Sequence, residues 1–181
     1  GLQVARRAQI LDPLSLAIQV TVGRCLHFGR RFEDAAECFR SHLQLNPASI
    51  QGYISLGRTL LAQHKWDEVA SELERAMQRL GRVPILLCFS GQAHARAGRT
   101  DQARQVLAEL KELAARRHVP ILYEAQIYFS LGDLAAGFQR FEQAVDQRSG
   151  WVMFLRVEAT WDQLRDEPRF KSVLRRAQLD F

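Results

Sequence analysis

Three cysteines in 181 residues are too few, and of the wrong parity, for a disulfide framework. Free thiols in a reducing compartment are expected, with the cytoplasm as the default location. Long hydrophobic runs are missing too. The longest uncharged apolar stretches, such as residues 119–123, are far too short to cross a bilayer. Residues 1–12 hold Arg6 and Arg7 but no apolar segment of the kind a secretory signal needs. The chain opens without methionine and is read as a fragment or a processed form. No strand-like alternation of polar and apolar residues competes for the chain. Charge of one sign is scarce as well: the net charge of +5 is spread thinly, about +2 over residues 1–49, +4 over 50–118, −3 over 119–147 and +2 over 148–181. Without a basic arm, nucleic acid is not an expected partner, and neither is a membrane.

The constellations that carry chemistry are missing as well. The glycines do not form a phosphate-cradling loop. Cys25 and His27, or Cys38 and His42, could each bring two soft ligands together, but no second pair closes a tetrahedral site, so no metal is expected. Serine, histidine and carboxylates never meet in a nucleophile-elbow setting. Glu72 and Glu74, and Glu109 and Glu112, fall among surface positions with arginine neighbours and read as helical ion pairs. Trp66, Trp151 and Trp161 read as core or cap residues. No catalytic residue, cofactor or enzymatic activity is expected.

What the sequence does hold is periodicity. With 47% apolar and 25% charged residues it has ordinary folded composition, and the apolar positions recur. Gly23, Gly57 and Gly91 stand 34 residues apart, with Ala125 next in line. Parallel columns hold Ala35, Val69, Ala103 and Gly137; Phe39, Leu73, Leu107 and Phe141; and His42, Ala76, Leu110 and Ala144. A small residue on one helix facing a small residue on the next lets two backbones approach. The large residue four positions on lies on the same helical face and fills the space beside that contact. Turn residues fall between the helices: Gly29, His64, Gly98 and Gly132, where glycine suits a left-handed C-cap. Asp67, Thr100 and Asp133 are candidate N-cap or first-turn oxygens for the helices that follow, and Pro13 and Pro47 end helices. The expected fold is all-α, built of antiparallel helix hairpins, which the family resemblance carried by these columns implies are stacked into a right-handed solenoid.

These columns resemble the tetratricopeptide repeat family. In the second copy Tyr53, Leu56, Gly57, Leu60, Trp66, Val69, Leu73 and Ala76 occupy most of its signature places. The expected organisation is one array over residues 1–181: copies at 16–49, 50–83, 84–117 and 118–151, residues 1–15 as the end of a preceding repeat, and 152–181 as C-terminal capping helices. Ser90 and Glu124 depart from the family, which has leucine there. Toward the C-terminus, 151–159 reads as a helix, Asp166 as an N-cap and Pro168 as a first-turn proline. Phe170, Val173 and Leu174 would then face inward, with Lys171, Arg175 and Arg176 outward. The segment ending at Leu179 is similar to tails that follow such repeats in bacterial signalling proteins (cyclases, receptor-type kinases, winged-helix activators). That resemblance implies a docking or sensory part of a larger protein.

The same resemblance implies where a partner would sit, in a concave groove lined by the first helix of each copy. Carried onto this chain, the lining is Val20, Ile54, Cys88 and Leu122; Thr21, Ser55, Phe89 and Tyr123; and Arg24, Arg58, Gln92 and Gln126. His27, Phe28, Arg96 and Phe129 complete it. An apolar stripe beside two arginines fits a protein or peptide partner with hydrophobic side chains and an acidic group near Arg24 and Arg58. Two other arrangements remain open: a helix of the same protein fills the groove, or the apolar lining is partly buried. The lysine and asparagine set with which co-chaperones of this family grip an acidic tail is absent, since Val20, Arg24, Ser55, Ile85 and Phe89 occupy those places. Self-association into a homodimer is the alternative function.

Overall fold

The structure, a computed structural model, describes residues 1–13, 15–147 and 155–178, and within them every regular element is a helix. The order is α1 Leu2–Leu11, α2 Leu16–Phe28, α3 Phe32–Leu45, α4 Ile50–Ala62, α5 Trp66–Leu80, α6 Pro84–Arg96, α7 Thr100–Ala114, α8 Leu122–Ser130 and α9 Leu134–Asp146. A 3-10 helix, Ala159–Leu164, and α10, Pro168–Arg176, follow. None of these helices is long and apolar enough to cross a membrane. The chain divides into two compact units, Gly1–Phe89 and Ser90–Phe181, with the division inside α6.

The 34-residue period is present in the backbone itself. Arg30, His64, Gly98 and Gly132 all take left-handed φ, at 60°, 60°, 76° and 80°. After each, the next N–H reaches back five residues: Arg31 to the Leu26 carbonyl, Lys65 to Leu60, Arg99 to His94 and Asp133 to Tyr128, at 2.9–3.1 Å. This is the Schellman closure, which satisfies carbonyls left over at a helix end. In the first copy the glycine falls one place early in the 34-residue register. Gly29 keeps an ordinary φ of −81°, and Arg30 carries the strained conformation instead. The register of the turn was thus stronger than the preference of glycine for it.

The three residues expected at an N-cap or in a first turn are found there, and one of them caps through its side chain. Asp133 accepts a hydrogen bond from the Ala136 N–H at 3.0 Å. Asp67 lies inside the first turn of α5, where a carboxylate meets the positive end of the helix dipole. Thr100 is the first residue of α7, whose N-cap is Arg99, and no side chain caps it. Ser49 caps α4 through the Gly52 N–H at 3.0 Å.

In the first unit α1 packs on α2, α2 on α3, α3 on α4 and α4 on α5. The small-residue columns explain how closely. A Cβ added to Gly23 would stand 2.5 Å from Phe39 Cε1, so the ring occupies the place a side chain would need. At Gly57 the equivalent distances are 3.2 Å to Phe89 and 3.3 Å to Leu73. Ala35, Val69, Leu73 and Ala76 are wholly buried and Phe39 nearly so. Full burial of a side chain such as Val69, Leu73 or Phe39 stabilises by about 1.5–3 kcal/mol.

The second unit is built on α8 and α9 and closed by the C-terminal segment. Phe141 stacks on Phe170 at 5.5 Å between centroids and on Trp161 at 5.3 Å, and Leu155, Leu164 and Val173 complete the apolar cluster. Phe170 and Val173 face inward, as the spacing implies. Two details differ. Val152 and residues 151–154 lie outside the described residues, but Leu155 to Val157 form a turn and Glu158 is extended, so the helix expected to run to Ala159 does not reach it. The N-cap of α10 is Glu167, with Pro168 at the first helical position; Asp166 instead pairs with Lys171 at 3.5 Å. Arg169 pairs with Glu142 at 2.9 Å, and Arg176 with Asp146, tying α10 to α9.

Candidate functional site

The expected lining residues separate by burial, and the separation follows packing. Val20, Phe28, Ile54, Arg58, Arg96 and Gln126 are half-buried, and Thr21 and Arg24 are exposed. His27, Ser55, Cys88, Phe89, Gln92, Leu122, Tyr123 and Phe129 are buried. The apolar stripe drawn from the sequence is therefore not an open surface along its length. Phe129 sits edge-on to Phe138 at 5.0 Å, and Leu122 joins the same cluster, so both serve the core of the second unit. Gly137 allows this, since a Cβ there would meet the Phe129 ring at 2.5 Å.

His27 is taken up by structure too. Its Nδ1 lies 3.0 Å from Thr59 Oγ1, and the Thr59 hydroxyl donates to the Ser55 carbonyl at 2.8 Å. With the hydroxyl hydrogen so committed, Thr59 Oγ1 accepts and Nδ1 carries the ring proton. The imidazole thus bridges α2 and α4, with Phe28 and Phe32 against its edges and faces. Nothing about the sequence columns pointed to Thr59, because its hydroxyl lies at a position where any small side chain would satisfy the pattern.

One hollow lies on the first unit. Thr21, Arg24, Cys25 and Phe28 follow one another at helical spacing along α2, and with Gly1 and Leu2 they surround a hollow of about 490 Å³. The Thr21 hydroxyl donates to the Ala17 carbonyl at 2.8 Å, which leaves its lone pairs facing outward. Arg24 has no ion-pair partner among the described residues. Leu2 and Cys25 were not on the sequence-derived lining, since α1 was assigned to a preceding copy and Cys25 falls between the family's ligand-facing places.

Elsewhere the chemistry is sparse. Burial pushes the Arg96 guanidinium below its usual pKa, and burial likewise raises the Cys38 thiol, whose Sγ donates to the Gln19 carbonyl at 3.2 Å. Glu124 is buried and pairs with Arg140 at 3.3 Å within the α8–α9 hairpin. Among the described residues no three His, Cys, Asp or Glu side chains are grouped so that they could hold a metal ion. No known family model matches the chain, and no characterised protein matches it in sequence.

Proposed function

We propose that this chain is a tetratricopeptide-like solenoid that holds another protein, and that it serves as the docking or sensory part of a larger cytoplasmic bacterial signalling protein. The observation that carries the reading is the hairpin turn repeated at Arg30, His64, Gly98 and Gly132, one copy every 34 residues. Stacked identical hairpins present the same helix face repeatedly, which suits an extended partner better than a small substrate. The half-open positions Val20, Thr21, Arg24, Ile54 and Arg58 supply apolar contacts with guanidinium donors between them.

A photo-crosslinking residue placed at Thr21, and separately at Gln78 on α5, tests this in bacterial cells. A partner protein captured from Thr21 and not from Gln78 is the expected outcome. Equal capture from both positions, or none from Thr21, would refute it.

Self-association is the second reading, favoured by Val4, Ile10 and Leu11 on α1, which are 72%, 77% and 86% exposed. Such apolar area is uncommon on a free surface. Light scattering across a concentration series decides it: a mass that stays monomeric at high concentration removes this alternative.

A further inference from the structure

A buried imidazole sits where α3 gives way to α4. His42 lies in the last turn of α3 and is 3% exposed. Its Nε2 stands 2.8 Å from Ser49 Oγ, and the same oxygen accepts the Gly52 N–H at 3.0 Å as the N-cap of α4. His42 Nδ1 is buried and has no hydrogen-bond partner among the described residues. The ring fits tightly, since a Cβ on Gly52 would come within 2.8 Å of His42 Cδ2. One side chain thus touches both the residue that caps α4 and the first turn behind it.

The neutral ring suits this seat. With its proton on Nε2 it donates to Ser49 Oγ and leaves only a lone pair at Nδ1. A second proton has Nδ1 as its one place, and there it creates a buried, charged N–H without an acceptor. No compensating charge is at hand. On α3, Glu33, Asp34 and Glu37 are exposed, Arg40 pairs with Glu68 of α5, and Cys38, one turn from His42, donates to the Gln19 carbonyl. The charged residue of α4 is Arg58, with Tyr53 buried beside Gly52, and that of α2 is Arg24, exposed. Burial alone lowers the His42 pKa, and none of these charges contributes to the shift.

We infer that His42 and Ser49 form an acid-released latch: a proton on the ring drives it from its seat, frees Ser49 and opens the start of α4, while the other helix pairs stay closed. The inference is independent of the protein-binding reading above. The opening is local because α2 packs on α3 and α4 on α5 through contacts that do not involve the latch, so each pair keeps its own partner.

The test is amide hydrogen exchange of the full chain between pH 7.5 and 5, with each rate corrected for the intrinsic pH dependence of exchange. The Ala136 N–H is the internal control, since Asp133 caps it in the second unit and neither α8 nor α9 contains a histidine. Protection of the Gly52 N–H should fall by up to about tenfold per pH unit below 6.5 and level off at the folded-state pKa of His42, while Ala136 holds steady. His42→Leu should abolish the fall at Gly52. A pH dependence that survives this substitution overturns the inference, as does a flat profile at Gly52 in the parent. Equal falls at Gly52 and Ala136 overturn the latch in favour of global unfolding. If His42→Leu loses its helicity, the ring signals of His42 in the parent decide the matter by NMR. A titration below pH 6.5 that coincides with the levelling of Gly52 protection upholds the latch, and one at 6.5 or above overturns it.

Discussion

Replacing Gly23 by alanine sets two effects of opposite sign against each other. Glycine in a helix interior is less favourable than alanine by about 1 kcal/mol, so propensity alone makes the variant more stable. Against that, the new methyl would lie 2.5 Å from Phe39 Cε1 and 2.7 Å from Cζ, where ordinary contact is near 3.5–4 Å. The ring has little room to retreat, because Phe39 is 1% exposed and lies directly against Gly23 of α2. Overpacking of a filled core costs about 1–3 kcal/mol, and an overlap of this size falls at the upper end. The net expectation is a loss of about 2 kcal/mol. Gly57→Ala is the matched control. Its closest contacts are 3.2 and 3.3 Å, a shift of a few tenths of an ångström relieves them, and propensity then offsets the remainder to within about 0.5 kcal/mol. Urea unfolding followed by helical circular dichroism ranks the three proteins. A second step isolates the cause: Phe39→Leu shortens the ring's reach, so Gly23→Ala should cost much less in that background than in the parent. If Gly23→Ala is as stable as the parent, or if the loss is the same with leucine at 39, the small-against-large contact does not set the α2–α3 approach.

Three further outcomes follow from single residues. Lys65, at the N-cap of α5, makes no capping hydrogen bond; Lys65→Asp should stabilise by about 1 kcal/mol, and Asp133→Ala should cost a similar amount, both measured by thermal melts. His42 is buried with its Nε2 2.8 Å from Ser49 Oγ, and burial lowers its pKa below 6.5. The unfolded chain therefore binds this proton more readily: the stability it contributes is complete above pH 6.5 and is lost as pH falls through the depressed folded value. Urea midpoints between pH 7.5 and 4.5 should show that decline in the parent and a shallower one in His42→Leu. Glu124 is mostly buried and meets the one-third-exposed Arg140 through Oε2, an oxygen that accepts no hydrogen bond, so the double change Glu124→Leu, Arg140→Met should leave stability unchanged or raise it by about 1 kcal/mol. A clear loss in thermal melts would mean that the pair specifies the α8–α9 hairpin.

The sequence determined the period, and with it the helices and turns, because those depend on local chemistry repeated at fixed spacing. The columns of small residues at Gly23, Gly57 and Gly91 and of large ones at Phe39 and Leu73 were legible, since close helix packing allows few residue types at such places. Turn placement was legible to one residue. At Arg30 the Schellman geometry overrode the glycine beside it, a choice made by where both helices must end rather than by the residue's own preference. The inward side of the last helix was visible in Phe170 and Val173, but its start was not, because the sequence pointed to Asp166 and the N-cap is Glu167. The site was the least legible part. Whether Cys88, Leu122 or Phe129 faces solvent depends on what packs over it, and periodicity assigns a face of a helix without saying what covers that face. Tertiary structure made that decision, burying half of the expected lining and leaving Thr21 and Arg24 exposed on α2.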